Sequence, residues 1–318
     1  MKKAFVTGIT GFAGSFLAEH LVSKGFEVSG TYLFPESVGN IAPIKDSVIL
    51  YKVDLAQRDA VSAAISKAKP DLLFHLAAIA TTGDSFSNAG EVIINNITAQ
   101  LNILDSLLEH NLKKCKALIV SSGDIYGNVA EENLPISENE SLKPMNPYSI
   151  SKIAQDFMGL QYFLAHELPV VRVRPFNHIG PRQSPGFVVS AFAKKIAEIE
   201  KGIRPPILTA GNLETSRDFS DVRDMMRAYL LALEKGIPGD VYNIGSGTSY
   251  KISDILNKLL SFSNKQIKVE VDNSLVRKKD AKESRCDNKK FVDLTGWKAT
   301  IPIEKSLKDT LDYWRNIV

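Results

Sequence analysis

A short apolar run, Ala4–Phe5–Val6–Thr7, passes directly into Gly8-Ile-Thr-Gly11-Phe-Ala-Gly14, and a helical pattern over Ser15–Lys24 follows, with Phe16, Leu17, His20 and Leu21 on one stripe. Few folds accept that order. Strand, glycine turn and helix in immediate succession open a βαβ unit, in which the glycines allow a tight turn and a close approach of backbone to ligand. The start of the helix adds N–H groups without intrahelical partners and the positive end of a dipole, so the ligand it suits is an anion such as a pyrophosphate. Gly8, Thr10, Gly11, Phe12 and Ala13 are therefore the expected cradle of a dinucleotide.

The rest of the first half keeps the same rhythm. Glu27–Tyr32, Val48–Val53, Leu72–Leu76, Ala117–Val120 and Val170–Arg174 read as strands, with a long helical pattern over Val92–Glu109. Strands alternating with helices predict an α/β chain with a Rossmann-type, doubly wound parallel sheet. Tyr32 closes the second strand, where a carboxylate would hold the ribose of NAD(H) and an Arg the 2′-phosphate of NADP(H). Thr31–Tyr32–Leu33 offers neither, so both cofactors stay open, and the missing carboxylate tilts the reading towards NADP(H). Asp54, at the end of the third strand, either accepts the adenine amino group or caps the helical segment beginning at Gln57. In His75–Leu76–Ala77–Ala78, the small residues let the backbone pass close to the cofactor.

Chemistry is expected at the next strand end, where such sheets place their ligands. Ser121–Ser122–Gly123–Asp124 brings Ser122, a hydrogen-bond donor for a carbonyl or alkoxide oxygen, and Asp124, a second acid or base. Of the nine tyrosines, only Tyr148 has a Lys four positions on. That spacing sets Tyr148 and Lys152 one helical turn apart, and the ammonium is expected to draw the phenol's pKa down towards neutrality. A phenol so tuned can give or take a proton.

After Arg174 the rhythm loosens. A rigid loop (Pro175–Pro181), helices over Phe187–Lys201, Arg223–Glu234 and Lys251–Ser261, and strands over Val241–Ile244 and Ile267–Val271 follow without a linker. The expected organisation is a dinucleotide-binding domain over 1–174, with 215–248 returning to it, and a smaller, interwoven substrate lobe over 175–214 and 249–318. Within 318 residues, 44% are hydrophobic and 24% charged, which suits a chain with a sizeable core. A net charge of +3 gives no case for nucleic acid or a membrane surface, and no apolar run is long enough to span a bilayer. Met1–Lys2–Lys3 leads into an apolar run broken at Gly8, too short for a signal peptide. Cys115 and Cys286 lack metal-ligand spacing and read as reduced thiols of a cytoplasmic protein without a metal.

Taken together, Gly8-x-x-Gly11-x-x-Gly14, Asp54–Leu55, His75–Leu76–Ala77–Ala78, Ser122, Tyr148-x-x-x-Lys152 and Arg174–Pro175–Phe176–Asn177 resemble the extended short-chain dehydrogenase/reductases that act on nucleotide sugars. The resemblance covers nearly the whole chain. Phe176–Phe187, Gly211–Asn212–Leu213–Glu214 and Arg217–Asp218–Phe219 are most similar to the branch that reduces GDP-4-keto-6-deoxy-D-mannose to GDP-D-rhamnose. The GDP-mannose 4,6-dehydratases share part of these stretches but carry Gln-Ser-His where this chain reads Ile79–Ala80–Thr81.

The resemblance implies NAD(P)H-dependent reduction of the C4 ketone of a nucleotide-linked 6-deoxyhexose, with 4,6-dehydratase and NAD-dependent 4-epimerase as alternatives. It places Ser122 and Tyr148 at the carbonyl oxygen and Lys152 at the nicotinamide ribose. It places Asp54 and Leu55 at the adenine, and Tyr32, Leu76, Ala77 and Ala78 along the cofactor. Asn177 and Val188 would meet the sugar or nucleotide, Arg217 and Arg277 the diphosphate and nucleoside, and Asp280 the nucleoside ribose. It also implies a homodimer formed through the helices near Val92–Glu109 and Tyr148–His166. Two positions depart from the family: Leu33 stands where it has Arg, and Arg277–Lys278–Lys279–Asp280 replaces an Arg-Pro-Ser-Glu pattern. Outside enzymes, a cofactor-sensing regulator on the same fold is the rival reading, and the intact Ser–Tyr–Lys set argues against it.

Overall fold

The structure is a computed structural model that describes residues 1–80, 86–272 and 281–318, apart from the side chain of Glu36. In chain order the first half forms β1 (Lys3–Thr7), α1 (Phe12–Ser23), β2 (Glu27–Tyr32), β3 (Val48–Lys52), α2 (Arg58–Ala68), β4 (Leu72–His75) and α3 (Ala89–Glu109). Next come β5 (Lys116–Val120), α4 (Pro147–His166), β6 (Val170–Pro175), β7 (Asn177–Ile179), α5 (Val188–Glu200), β8 (Ile207–Ala210) and β9 (Ser216–Asp221). The chain ends with α6 (Val222–Lys235), β10 (Val241–Ile244), β11 (Ser249–Lys251), α7 (Ile252–Ser261), β12 (Lys268–Val271), β13 (Glu283–Ser284), α8 (Lys289–Thr295) and α9 (Ile303–Ile317).

Seven of these strands make one parallel sheet in the order β10-β6-β5-β4-β1-β2-β3. From β1 the chain winds outward through β2 and β3, then crosses back to β4 on the other side of β1. That reversal opens a crevice at the carboxyl ends of β1 and β4. Alternation along β1 shows why both faces are covered. Ala4 and Val6 join Leu17, Leu21, Met225 and Tyr229 in one core, on the side of α1 and α6. Phe5 joins Leu73, Ile65, Ile103 and Leu107 in another, on the side of α2, α3 and α4. Successive strand side chains point to opposite faces, so a strand buried on both sides must be apolar throughout.

α1 starts at Phe12, three residues before the helix read from the sequence, with Gly11 as its N-cap. The hydrophobic stripe cannot report that first turn because it is built of residues packed against the glycine loop itself. α4 is pinned to β6 by Asp156, which is buried and accepts from Arg172 Nη1 at 2.6 Å and Arg174 Nε at 2.8 Å. Truncating one member of such a buried set leaves an uncompensated charge.

Beyond β6, β7, β9, β11 and β13 form a small sheet around β9, and β8 pairs with β12. Ile179, Phe192, Ile196, Leu256, Leu307 and Trp314 build a further core among α5, α7 and α9. α6 packs on the large sheet, and β10 closes its edge against β6. Among the described residues no helix is long and apolar enough to cross a membrane.

Candidate active site

The glycine turn and the end of β4 meet closely. Gly8 sits at φ +67°, Gly11 N donates to Gly8 O at 2.9 Å, and a Cβ on Gly14 would lie 2.1 Å from that same oxygen. A Cβ on Gly8 would lie 3.2 Å from Ala77 Cα. Only glycine lets the first turn of α1 lie against the loop in this way. Thr7 Oγ1 accepts from Leu76 N (3.0 Å) and Ala77 N (3.1 Å), tying the ends of β1 and β4 together. Across the crevice, a run of 3₁₀ turns over Pro35–Ser47 forms the outer wall. Its Ser37 Oγ lies 2.6 Å from Thr10 Oγ1, and Asn40 Nδ2 donates to Thr10 O at 2.9 Å.

One cavity of about 530 Å³ joins this turn to the strand ends. Gly8, Thr10, Gly11, Phe12, Ala13, Tyr32, Asp54, Leu55, Leu76, Ala77 and Ala78 all line it. Asp54 is not the cap of α2: its Oδ1 accepts from Ala56 N at 2.9 Å, and the N-cap is Gln57. The residues present fit a dinucleotide. The leading N–H groups of α1 have no intrahelical partner, Gly11 brings no side chain to cap them, and a Cβ at position 14 would close the turn.

Ser122, Asp124, Tyr148 and Lys152 line the same cavity. Ser122 caps the 3₁₀ turn Gly123–Tyr126, its Oγ accepting from Asp124 N at 3.1 Å. Asn146 caps α4 through Oδ1, which accepts from Ser149 N at 2.8 Å, and Pro147 fixes the first helical position. Tyr148 thus emerges in the first turn with Lys152 one turn behind it. Lys152 is buried, donates to Val120 O (2.8 Å) and Gln155 Oε1 (2.9 Å), and holds its Nζ 5.8 Å from the centre of the Tyr148 ring.

The proton states differ from the sequence expectation. Burial, and then the charge of Asp124, push the Tyr148 phenol above its ordinary value, against a hydrogen bond with Ser122 that draws it down. Burial lowers Lys152 to about 7. The expected depression of Tyr148 by Lys152 is therefore corrected: the shift runs upward, because desolvation disfavours the charged form of both groups. A phenol held above its ordinary value carries its proton at pH 7.

At the far end Asn177 and Val188 line the cavity, joined by residues that motif reading passed over. His178 stacks on Phe12 with ring centres 5.7 Å apart and planes 10° apart. Gln183 is buried, donates through Nε2 to His178 O at 2.9 Å, and has no hydrogen-bond partner for Oε1 among the described residues. Arg217 sits beside the cavity lining and is not itself among the described residues that form it. Its guanidinium donates to Ser216 O and Ala281 O, both at 2.8 Å, and it pairs in register with Ser284, which does line the cavity. Thr81, Arg277 and Asp280 lie outside the described residues.

Comparison with known proteins matches this arrangement. A profile of the GDP-mannose 4,6 dehydratase family fits residues 5–310. The chain belongs to that family. Its members fall among the extended short-chain dehydrogenase/reductases, as the motifs suggested. A GDP-6-deoxy-D-mannose reductase of Pseudomonas aeruginosa is 32% identical over 317 residues, covering 100% of this chain and 98% of that protein. A GDP-6-deoxy-D-talose 4-dehydrogenase of Aggregatibacter actinomycetemcomitans is 30% identical over 299 residues, covering 92% and 91%. The solved structure of RMD from Pseudomonas aeruginosa complexed with NADPH superposes with a TM-score of 0.87 at 32% identity, over 100% of both chains. In this family member Thr10, Ser37 and Asn40 tie the glycine turn to the outer wall. No local signal marks Ser37 or Asn40, because their partner lies some thirty residues back in the chain.

Proposed function

We propose that the protein reduces the C4 ketone of GDP-4-keto-6-deoxy-D-mannose to GDP-D-rhamnose with NADPH. Similarity along the full chain to a GDP-6-deoxy-D-mannose reductase supports the substrate. The observation that carries the reading is the Ser122, Tyr148 and Lys152 set at one end of the dinucleotide cavity, with Lys152 Nζ 5.8 Å from the centre of the Tyr148 ring. In a ketone reduction this set supplies a proton donor at the carbonyl oxygen.

When bound, the reduced nicotinamide supplies a hydride to the ketone carbon. Tyr148 gives its proton to the oxygen, and Ser122 donates a second hydrogen bond as negative charge develops. The Lys152 ammonium stabilises the tyrosinate left behind and meets the nicotinamide ribose. Gly8, Thr10, Gly11, Phe12 and Ala13 hold the pyrophosphate, with Tyr32, Asp54, Leu55 and Leu76–Ala78 along the adenosine and the strand ends. No carboxylate in Thr31–Tyr32–Leu33 repels a 2′-phosphate, and the NADPH complex of the Pseudomonas protein supports the same preference. Asn177 and Val188 meet the substrate, Asp124 is the second acid or base, and Arg217, Arg277 and Asp280 complete the nucleotide site.

The same reading divides the chain into a dinucleotide-binding domain over 1–174, rejoined by 215–248, and a substrate lobe over 175–214 and 249–318. The separate core among α5, α7 and α9 supports that division. It also makes the protein a cytoplasmic homodimer. Two buried, unpaired thiols, Cys115 and Cys286, support the compartment, and the outer face of α3 and α4 supports the dimer.

The test is the loss of NADPH absorbance, then of NADH, on adding GDP-4-keto-6-deoxy-D-mannose, with the C4 configuration of the product read by NMR. Rapid loss is expected with NADPH, and Tyr148→Phe should lower turnover by roughly 10²-fold or more while NADPH still binds. No loss with either cofactor, alongside conversion of GDP-mannose to a 4-keto product, would replace the reductase with a dehydratase.

A further inference from the structure

Behind Lys152 the protein interior is polar. Gln155, Asn96, Gln100 and His75 are all buried, and their side chains connect α4 and α3 to the end of β4. Gln155 Oε1 accepts from Lys152 Nζ at 2.9 Å. Its Nε2 donates to Asn96 O at 2.8 Å and meets His75 Nε2 at 3.1 Å. These contacts fix which end of the amide is which, because the opposite orientation would set an NH₂ group against an ammonium. With the amide so held, His75 Nε2 must accept. On the other side of the ring, Nδ1 lies 2.9 Å from Thr7 Oγ1, the hydroxyl that also accepts from Leu76 N and Ala77 N. Two of the three N–H bonds of the Lys152 ammonium go to Val120 O and Gln155 Oε1, so the third is directed by what the first two leave open.

We propose that Gln155 is a positioning residue for proton transfer: its amide oxygen, oriented by Asn96 and His75, holds Lys152 and sets the pH range over which Lys152 stays an ammonium beneath Tyr148. The proposal rests on the reading of Tyr148 and Lys152 as the catalytic pair. An uncharged acceptor suits that task. It stabilises the ammonium by a hydrogen bond without cancelling the charge that the tyrosinate needs after the proton has left. The other titratable groups facing this region among the described residues include Tyr148 on α4, Tyr229 on α6, His75 on β4 and Asp124 on the turn after β5. Arg172 and Arg174 on β6 are matched by Asp156 of α4, and α3 presents the neutral Asn96 and Gln100. Among the described residues the hydrogen-bond acceptors in contact with Lys152 Nζ are Val120 O and Gln155 Oε1, and of these the side-chain amide is the contact that a substitution can change.

The experiment compares Gln155→Glu and Gln155→Met with wild type by two pH profiles: kcat/KM for the reduction, and NADPH affinity by nucleotide fluorescence. Gln155→Glu is expected to move the alkaline limb of both profiles up by about one pH unit or more, since a carboxylate in contact with an ammonium retains its proton. Gln155→Met is expected to move it down by about one unit through the lost hydrogen bond to a charged group. A limb that stays in place in Gln155→Glu, whatever happens to the rate, overturns the proposal. If Gln155→Met fails to fold by circular dichroism, Gln155→Glu alone gives the answer. A wild-type protein that consumes no NADPH would overturn the reductase reading instead, and the pH dependence of NADPH binding would still decide the role of Gln155.

Discussion

His75 carries a strong electrostatic constraint. It is buried between Thr7 Oγ1 and the Gln155 amide, where a proton on Nε2 would face another donor. Burial first, and the charge of Lys152 second, lower its pKa to about 3. The folded state therefore favours the neutral ring, and the stability this confers is complete above the ordinary histidine value of 6.5 and lost as pH falls from there towards 3. Between about pH 7 and about pH 5 the loss amounts to about 2 kcal/mol. His75→Asn should be less stable than wild type near neutrality, and urea unfolding should show the gap narrowing by about that amount at the lower pH. An unchanged gap would remove His75 as the titrating group. The same neighbourhood shows what single residues reveal in a sequence. Spacing within one helix puts Lys152 behind Tyr148, and that was legible. Their proton states were not, because burial and Asp124 come from other segments. Gln155 was not legible either, since one of its partners, His75, lies 80 residues away.

Among the elements, α1 shows how a glycine position couples a helix to a ligand site. Because a Cβ on Gly14 would lie 2.1 Å from Gly8 O, Gly14→Ala must displace either the turn or the first helical turn, the proposed pyrophosphate site. NADPH affinity should fall about tenfold or more, equivalent to about 1.4 kcal/mol. Gly39→Ala serves as the control, since nothing lies within 4 Å of its added carbon. Equal affinities for the two variants by fluorescence titration would contradict the close-contact argument. The strands of the large sheet were legible because each is an apolar run buried on both faces. β9 was not: Ser216–Asp221 carries Arg217 and Asp218 and is held by pairing with β7, β11 and β13, all distant in sequence. α9 failed for a different reason. Ile303, Leu307, Leu311 and Trp314 form a stripe of helical period that packs on α5 and α7, so its signal was present in the sequence beyond the last strand read.

At the scale of the molecule, the outer face of the α3–α4 pair stands apart from the other exposed surface. Ile150, Phe157 and Leu164 follow one another at heptad spacing along α4, and Ile94 and Leu101 do so along α3. All five are exposed, Phe157 by 49% and Leu164 by 69%. α3 and α4 pack side by side, and Asn96–Ser151 and Gln100–Gln155 hydrogen bonds tie them together. Their outer stripes therefore form one apolar surface rather than two scattered sets. A two-fold axis across it would bury each stripe against its own copy in a four-helix contact, which is the closed, self-complementary solution for a single chain. Tyr148 and Lys152 line the cavity on the inner side of the same helix, so association would brace the helix that carries the proposed catalytic pair without obstructing it. Leu164→Glu, at the far end of α4 from Tyr148, should convert a dimer to a monomer in sedimentation equilibrium and leave NADPH affinity within about threefold of wild type. Its melting temperature should also lose the concentration dependence expected of an associating chain. A wild-type protein that sediments as a monomer at every concentration would remove the dimer, and the heptad stripe would then need another partner.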